Sequence, residues 1–313
     1  MKLISEFIAG DKLTVQLLVG NFSKGTNAAN GKEYLSLELR DSSGSINAKK
    51  WDYVGGDENV YAIGNIVEIN CEVISYRDNL QLKIVSGRPV DIDSIDVVRF
   101  VKQPPIPKAE LVKKFDNYVA SIKDPTCKKI LDYIVDKTKD KLYDYPAASS
   151  IHHDYACGIL VHSTNMADIA EFLCKQYKDL DRDLLLTGVL LHDLGKTFEL
   201  EGPIAFHYSL EGKLLGHISI MAAEIRSAAQ KLGINNERAL LIQHMILSHH
   251  GQQEFGSPVL PITKEALMLS LIDNLDSKME IVNKALDKVK PGEFSNKVLP
   301  LDGRMFYNPK VDK

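Results

Sequence analysis

Residues 184–200, LLLTGVLLHDLGKTFEL, set a histidine and a carboxylate side by side after an apolar run. Leucine and valine precede His192 and Asp193 at helical spacing, so a helix here would direct both polar side chains into an apolar face. A carboxylate without partners in such a setting costs several kcal/mol or takes up a proton. The stretch therefore predicts a buried helix that ends at polar partners supplied by other segments.

Other ionisable residues repeat this pattern on four further segments. Each has isoleucine, leucine, methionine or alanine at helical spacing, and they are His162, His217, His249 with its neighbour His250, and Asp273. A single such histidine is more often a core residue bonded to the backbone, and His244 on its leucine face illustrates that alternative. The whole set, with two carboxylates, fits a metal site better, because imidazole and carboxylate are standard ligands for divalent transition metals.

Residues 1–88 have the pattern of short strands separated by turns such as DSSG and GGDEN. About five strands in fewer than a hundred residues predict a small barrel, and the five-stranded OB-fold is the usual one at this size. The five segments with alternation or β-branched enrichment are KLTVQLLVGNF, EYLSLELRD, GSINAKKWD, NIVEINCEVISY and LQLKIVSG.

A proline cluster separates this region from a helical one. Pro104, Pro105 and Pro107 cannot continue a helix, so residues 89–107 are predicted to be an inter-domain linker. Helical periodicity then runs over residues 108–290, with loops near 197–212 and 251–263, and residues 291–313 form a C-terminal tail without clear periodicity. The predicted fold class is a multidomain chain, a small all-β OB-fold barrel followed by an all-α domain.

Composition sets broad limits on function. The 313 residues are 44% apolar and 26% charged with a net charge of −4, so any nucleic-acid site must be local. We expect no signal peptide, because Glu6 and Asp11 interrupt the first apolar run, and no membrane span. The four cysteines form no CxxC pair and are expected to be reduced. These features favour a cytoplasmic protein without a membrane partner.

The order His162, His192-Asp193, His217, His249-His250, Asp273 resembles the HD superfamily of metal-dependent phosphohydrolases, in the form that holds two metals. The strings HHDYACGILVHSTNMA, LLHDLGK, EGKLLGHI, LSHHG and LIDNLDSKM resemble the YhaM-type 3′→5′ exoribonucleases of Gram-positive bacteria, which join an N-terminal OB-fold to an HD domain. The resemblance then covers nearly the whole chain.

This resemblance implies a two-metal site. One ion would be held by His162, His192, Asp193 and Asp273, and the second by His217, His249 and His250, with Asp193 bridging the two. It implies Mn²⁺, with Fe²⁺, Co²⁺ or Mg²⁺ as alternatives, and two-metal hydrolysis of a phosphodiester. Asp193 and Lys196 are the catalytic candidates; Lys196 would place a cation near the phosphate, and its alternative is a solvated lysine near a helix end.

The nucleic-acid contacts of the barrel are a weaker prediction. OB-folds bind single strands with aromatic platforms and a charged groove, for which the candidates are Tyr34, Trp51, Tyr76 and Lys83. Residues 1–90 contain 10 basic and 11 acidic residues, so charge does not support this role, and each aromatic residue fits a barrel core as well. His152, His153 and His207 are either substrate contacts or surface residues.

Three functions remain open at this point. The first is a metal-dependent 3′→5′ exoribonuclease acting on single-stranded RNA, and on single-stranded DNA as an alternative. The second is an HD hydrolase of small nucleotides such as cyclic dinucleotides, although the segment HHGQQEFGSP lacks the GYP triplet of the HD-GYP enzymes. The third is a binding module with a structural metal, which seven candidate ligands argue against because closed structural sites use four. The sequence leaves a homo-oligomer open.

Overall fold

The computed structural model describes residues 2–27, 31–77, 79–91, 95, 97–102, 104, 106–145, 156–202, 206–287 and 289–310. The chain divides into two compact units. The barrel unit comprises residues 1–103 and 201–207, and the helical unit comprises residues 104–200 and 208–313. Among the described helices, none has the length and apolar character that a membrane crossing requires.

Five strands of the barrel unit close into a barrel with the order β1-β2-β3-β5-β4. The strands β1 and β4 pair antiparallel, whereas β3 and β5 close the barrel in parallel. This order with its single parallel closure is the OB-fold, so the predicted barrel is confirmed. The strands are β1 (Lys12–Thr26), β2 (Glu33–Asp41), β3 (Gly44–Lys50), β4 (Ile66–Tyr76) and β5 (Asn79–Pro89).

Alternation along the strands decides which side chains fill the barrel. In β2, for example, Leu35, Leu37 and Leu39 are buried while the residues between them are partly exposed. The pairing of β1 with β2 shifts by one residue between Val19 and Asn21, and such a bulge bends a long strand around the barrel. The predicted turn GGDEN differs from expectation, because it contains a short helix α1 (Asp57–Val60).

Part of the predicted linker is ordered. Residues Val97–Phe100 form a 3-10 helix, and Phe100 is buried against Leu18 and Ile66 of the barrel unit. Burial of one large apolar side chain stabilises the fold by about 1.5–3 kcal/mol, which explains why the segment stays against the barrel.

The helical unit is built around a short helix that is buried over most of its length. Its helices are α2 (Lys108–Ser121), α3 (Pro125–Leu142), α4 (Gly158–Gln176), α5 (Arg182–Leu191), α6 (Lys196–Glu199), α7 (Leu210–Lys231), α8 (Glu237–Ser248) and α9 (Lys264–Leu286). In α5 every residue from Leu184 to Leu191 is buried, and α3, α4, α8 and α9 pack around it. The apolar stretch that precedes His192 is therefore the centre of this core.

Helix starts follow the capping residues of the sequence. Asp124 accepts hydrogen bonds from two backbone amides at the start of α3, and Pro125 occupies the first helical position. Asp181, Ser209 and Asn236 cap α5, α7 and α8 in the same way. The predicted loop near 197–212 contains α6 and the short strands β6 (Leu200–Glu201) and β7 (His207–Tyr208).

The chain after α9 forms an irregular hairpin. Phe294 pairs with Tyr307, and Val298 pairs with Arg304. The amide of Gly292 donates to Asn308 at the open end of this hairpin. The predicted tail thus has a defined backbone path as far as residue 310.

Candidate metal centre

The structure brings the seven predicted ligands to one place in the helical unit. They come from α4, the end of α5, α7, the end of α8, and α9. Two groups have ligand atoms within 4.8 Å of one another: His162 with His192 and Asp193, and His217 with His249 and His250. Asp273 lies outside these tight groups, but its Oδ1 is 3.2 Å from His162 Nε2.

Asp193 belongs to the first group and also reaches the second, with one oxygen facing each. Its Oδ2 is 3.8 Å from His162 Nε2 and 3.5 Å from His192 Nε2. Its Oδ1 is 3.7 Å from His217 Nε2 in the other group. A carboxylate with its oxygens divided in this way has the geometry of a bridging ligand.

Two of the histidines are oriented by the ends of their own helices. His192 and His249 are the C-caps of α5 and α8. Their Nδ1 atoms lie 2.8 Å from the carbonyl oxygen of Val189 and 2.7 Å from that of Ile246. Carbonyls in the last helical turn have no intrahelical donor, so Nδ1–H donates to them and leaves the Nε2 lone pair facing the centre. Burial lowers the pKa of both imidazoles and keeps them neutral.

His162 is held between two carboxylates of α9. Its Nδ1 is 2.7 Å from Asp276 Oδ2, and its Nε2 is 3.2 Å from Asp273 Oδ1. Burial by itself would lower the pKa of His162, but hydrogen bonds to both carboxylates outweigh it and raise the pKa to about 10. A metal ion at Nε2 would take the place of the proton there.

His217 is oriented by a kink in its helix and by Glu199. Gly216 interrupts α7 with φ 69° and ψ 154°, a backbone conformation that favours glycine. The kink frees the amide of His217, which donates to Glu199 Oε1 at 3.1 Å, and the His217 Nδ1 lies 3.3 Å from the same oxygen. His250 Nδ1 is 2.7 Å from the carbonyl oxygen of Phe255.

Asp276 and Glu199 were not predicted from the sequence. Both contact the Nδ1 of a candidate ligand histidine, which is the usual role of carboxylates behind a metal site. For Asp276 a signal existed, because it follows Asp273 by three residues and shares its helical face. Glu199 gave no comparable signal, since its partner His217 lies on a different helix.

Buried nitrogen atoms show that the site fits a metal. The Nε2 atoms of His192, His217 and His249 are buried and have no hydrogen-bond partner among the residues that the structure describes. A buried polar atom without a partner costs about 1–3 kcal/mol. Three such lone pairs converge beside an ionised carboxylate, which is the donor set of a divalent transition metal.

The carboxylates of the centre carry negative charge at neutral pH. Burial would raise the pKa of Asp193, but opposing interactions, chiefly with the charge of Lys196, lower it well below its usual range. Burial would also raise the pKa of Asp273, but the hydrogen bond from His162 opposes this effect, and the pKa of Asp273 is lowered. Lys196 is itself buried, and its Nζ donates to Asp193 Oδ2 at 2.7 Å.

Gly195 allows the chain that follows His192 and Asp193 to approach α7 closely. A Cβ atom at this position would lie 2.2 Å from the backbone oxygen of His217. We expect Gly195→Ala to lower the free energy of unfolding by about 1–3 kcal/mol, as overpacked cores do. Denaturant unfolding measures this change, with Gly55→Ala as the control because its added Cβ meets no atom within 4 Å. Equal stability of both variants would contradict the close approach.

The remaining histidines divide as follows. His244 is half-buried, and its Nε2 accepts a hydrogen bond from the amide of Ile262 at 3.2 Å. It is therefore a histidine bonded to the backbone, which was the alternative to a metal ligand. His207 is exposed on β7, and its Nε2 is 3.9 Å from Glu201. His152 and His153 lie outside the described residues.

Three of the four predicted nucleic-acid contacts share the outer face of the barrel. The rings of Tyr34 and Trp51 are 4.8 Å apart, and the ammonium of Lys49 lies 4.6 Å from the Tyr34 ring. Lys49 is the register partner of Lys83 across the parallel pair β3-β5. Tyr76 stands apart from this pairing, at the tip of the β4-β5 hairpin, where it is 54% exposed.

Comparisons with known proteins agree with these features. A model of the HD domain family matches residues 159–278. The 3′-5′ exoribonuclease YhaM of Geobacillus sp. (strain WCH70) is 44% identical over 98% of this chain and 94% of its own length. The protein of the same name from Bacillus subtilis (strain 168) is 44% identical over 97% of both chains.

Among solved structures, a domain of replication protein A from Methanococcus maripaludis is 22% identical, covers 29% of this chain and 94% of its own, and gives a TM-score of 0.25. The family resemblance inferred from the motifs is confirmed by the two full-length relatives. This chain belongs to the 3′-5′ exoribonuclease YhaM family.

Proposed function

We propose that this protein is a metal-dependent hydrolase that shortens single-stranded RNA from its 3′ end. Membership of the YhaM family supports the reaction, and the HD domain with its buried histidine and aspartate cluster supports the dependence on metal. The observation that carries the two-metal form of the proposal is the position of Asp193, whose two oxygens face two separate groups of imidazoles.

The ligand assignment follows from these groups. His162, His192, Asp193 and Asp273 would hold one ion, and the second would be held by His217, His249 and His250, with Asp193 shared. Mixed imidazole and carboxylate donors that leave positions for water favour Mn²⁺ or Fe²⁺ over a closed zinc site. Mn²⁺ is our proposal, because the family resemblance favours it.

Bound divalent ions would supply a water activated for attack and would neutralise charge on the phosphate. The residues of the chain prepare the centre for this chemistry. Backbone carbonyls and the carboxylates of Asp276 and Glu199 fix the imidazoles in one tautomer, so little reorganisation is needed during the reaction. Lys196 holds Asp193 through one N–H and has two further donors that can reach a phosphate oxygen.

The barrel is proposed to bind the single-stranded RNA. Tyr34 and Trp51 offer a pair of aromatic surfaces on which bases can stack, with Lys49 and Lys83 beside them to contact the backbone. Stacking tolerates any base, which suits an enzyme that shortens strands of mixed sequence. Single-stranded DNA would be bound by the same means.

We expect the chain to require a free 3′ end. A 5′-labelled single-stranded RNA with Mn²⁺ should give a ladder of products that shorten from the 3′ end, whereas the same strand with a blocked 3′ end should stay intact. Denaturing gels resolve both reactions, and a cyclic dinucleotide serves as the control substrate. Internal cleavage of the blocked strand, or turnover of the cyclic dinucleotide alone, would contradict the proposed function.

The cytoplasm is the proposed location of this activity. Cys71, Cys127, Cys157 and Cys174 are free thiols. Unpaired cysteines are typical of a reducing compartment. The location is tested by fractionation of cells that carry the tagged full-length chain.

A further inference from the structure

A groove within the helical unit begins at a metal-site histidine. It has a volume of about 510 Å³ and lies between α9, the loop 251–261 and the C-terminal hairpin. His250 stands at one end of its lining, while Asn274, Ser277 and Lys278 of α9 form one side. This volume is in the range of small-ligand sites, and the groove shares His250 with the candidate metal centre.

The C-terminal hairpin supplies the opposite wall. Leu301 is buried and fixes the hairpin, and Arg304 follows it into the groove lining. The Arg304 Nε donates to the carbonyl oxygen of Leu301 at 2.9 Å, and its Nη2 is 3.4 Å from the exposed Asp302. The backbone carbonyl thus orients one edge of the guanidinium while the side chain stays exposed. A guanidinium oriented in this way can bind an anion such as a phosphate.

Lys278 provides a second cation in the same groove. It is exposed on α9, two residues after Asp276, which binds the ligand histidine His162. The Lys278 ammonium has no hydrogen-bond or ion-pair partner among the described residues. The charged residues of the lining are therefore Lys278, Arg304 and Asp302, and since Asp302 pairs with Arg304 the uncompensated charge of the groove is that of Lys278.

The loop of the groove connects it to the metal centre. The carbonyl oxygen of Phe255 accepts from His250 Nδ1 at 2.7 Å, whereas its ring lines the groove and is 63% exposed. An aromatic ring so exposed is unusual for a packed loop and offers a face for stacking. One residue therefore orients a ligand histidine through its backbone and faces the groove through its side chain.

We propose that this groove holds the RNA strand beside the bond to be hydrolysed, with Lys278 and Arg304 on backbone phosphates and Phe255 on a base. The inference rests on the proposed function and deepens it, because it assigns substrate binding to the helical unit in addition to the barrel. Proteins bind single-stranded nucleic acids with two elements. Cationic side chains contact the phosphate backbone, and aromatic rings stack on the bases.

The test compares the full-length chain with Lys278→Ala, Arg304→Ala and Phe255→Leu, and the last keeps the backbone carbonyl that holds His250. For a single-stranded RNA we expect KM to rise about tenfold in each variant, since one charge-assisted or stacking contact is lost, with kcat changed less than about twofold. The slope of log KM against log salt should fall by about 0.7 for each lysine or arginine removed, which a purely structural role would not produce.

Two controls separate the outcomes. Hydrolysis of bis(p-nitrophenyl) phosphate needs only the metal centre and should be unchanged in Lys278→Ala and Arg304→Ala. Lys297→Ala removes an exposed charge of the hairpin outside the groove. If the unaltered chain shortens RNA and the groove variants keep its KM and salt slope, the inference is overturned while the function stands. If the unaltered chain does not shorten RNA, the proposed function fails and the inference fails with it.

Discussion

Asp193→Asn is expected to lower kcat for RNA shortening by about a thousandfold or more. The substitution keeps the shape of the side chain but removes the charge that faces both groups of imidazoles. Metal ions at such a centre contribute several kcal/mol to the stabilisation of the transition state, and about 4 kcal/mol corresponds to three orders of magnitude in rate. The rate is measured with the 5′-labelled strand under single-turnover conditions.

The proposed bridging role of Asp193 has a readout besides the rate. The metal content of the purified chain should fall from two ions to one or none, which elemental analysis measures directly. Asp168→Asn is the matched control, because Asp168 lies on α4 near His162 in sequence but forms an exposed ion pair with Lys114, worth about 0–1 kcal/mol. An Asp193→Asn variant that retains full activity and both ions would refute the bridging carboxylate.

Removal of metal with a chelator is expected to abolish RNA shortening completely and to lower Tm. The apo centre leaves the Nε2 atoms of His192, His217 and His249 buried without partners among the described residues, and ligation satisfies them. A ligand that binds only the folded chain adds about 2.7 kcal/mol of stability when present at a hundred times its Kd. Calorimetry of the chelated and reloaded protein measures the shift.

Readdition of metal identifies the ion. Activity and Tm should both recover with Mn²⁺, and a titration of Fe²⁺, Co²⁺ and Mg²⁺ ranks the alternatives. The chelated His249→Ala variant serves as the control, because it has lost a ligand of the second group and should recover less of both quantities. A chelated protein with an unchanged rate and Tm would refute metal dependence.

The barrel was predicted closely because its information is local. Each strand alternates apolar and polar residues, and turn residues mark its ends, so both period and boundaries can be read along the chain. The helix Asp57–Val60 was not predicted, because a helix of four residues is too short to show periodicity in the sequence. The hairpin of residues 291–310 was not predicted for a related reason. It is held by isolated β-bridges and by the buried Leu301, and neither produces a periodic pattern in the sequence.

The members of the candidate metal site were named from the sequence, whereas its geometry was not. Apolar faces and the order of the motif identified all seven candidate ligands, because burial of an ionisable residue at helical spacing is visible in the sequence. The positions of Asp276 and Glu199 depend on which helices meet. Glu199 in particular reaches His217 only because Gly216 breaks α7 one residue earlier.

By itself the sequence determined the two kinds of domain, the strands of the barrel, and the residues that need partners in an apolar core. These follow from periodicity and from the cost of burying charge, both of which act along a single element. Only the tertiary structure decided that Asp193 directs its oxygens to two separate groups, and that α9, the loop at Phe255 and the C-terminal hairpin enclose a groove beside His250. Distances of a few ångströms between different helices depend on their packing, and packing is a property of the whole fold.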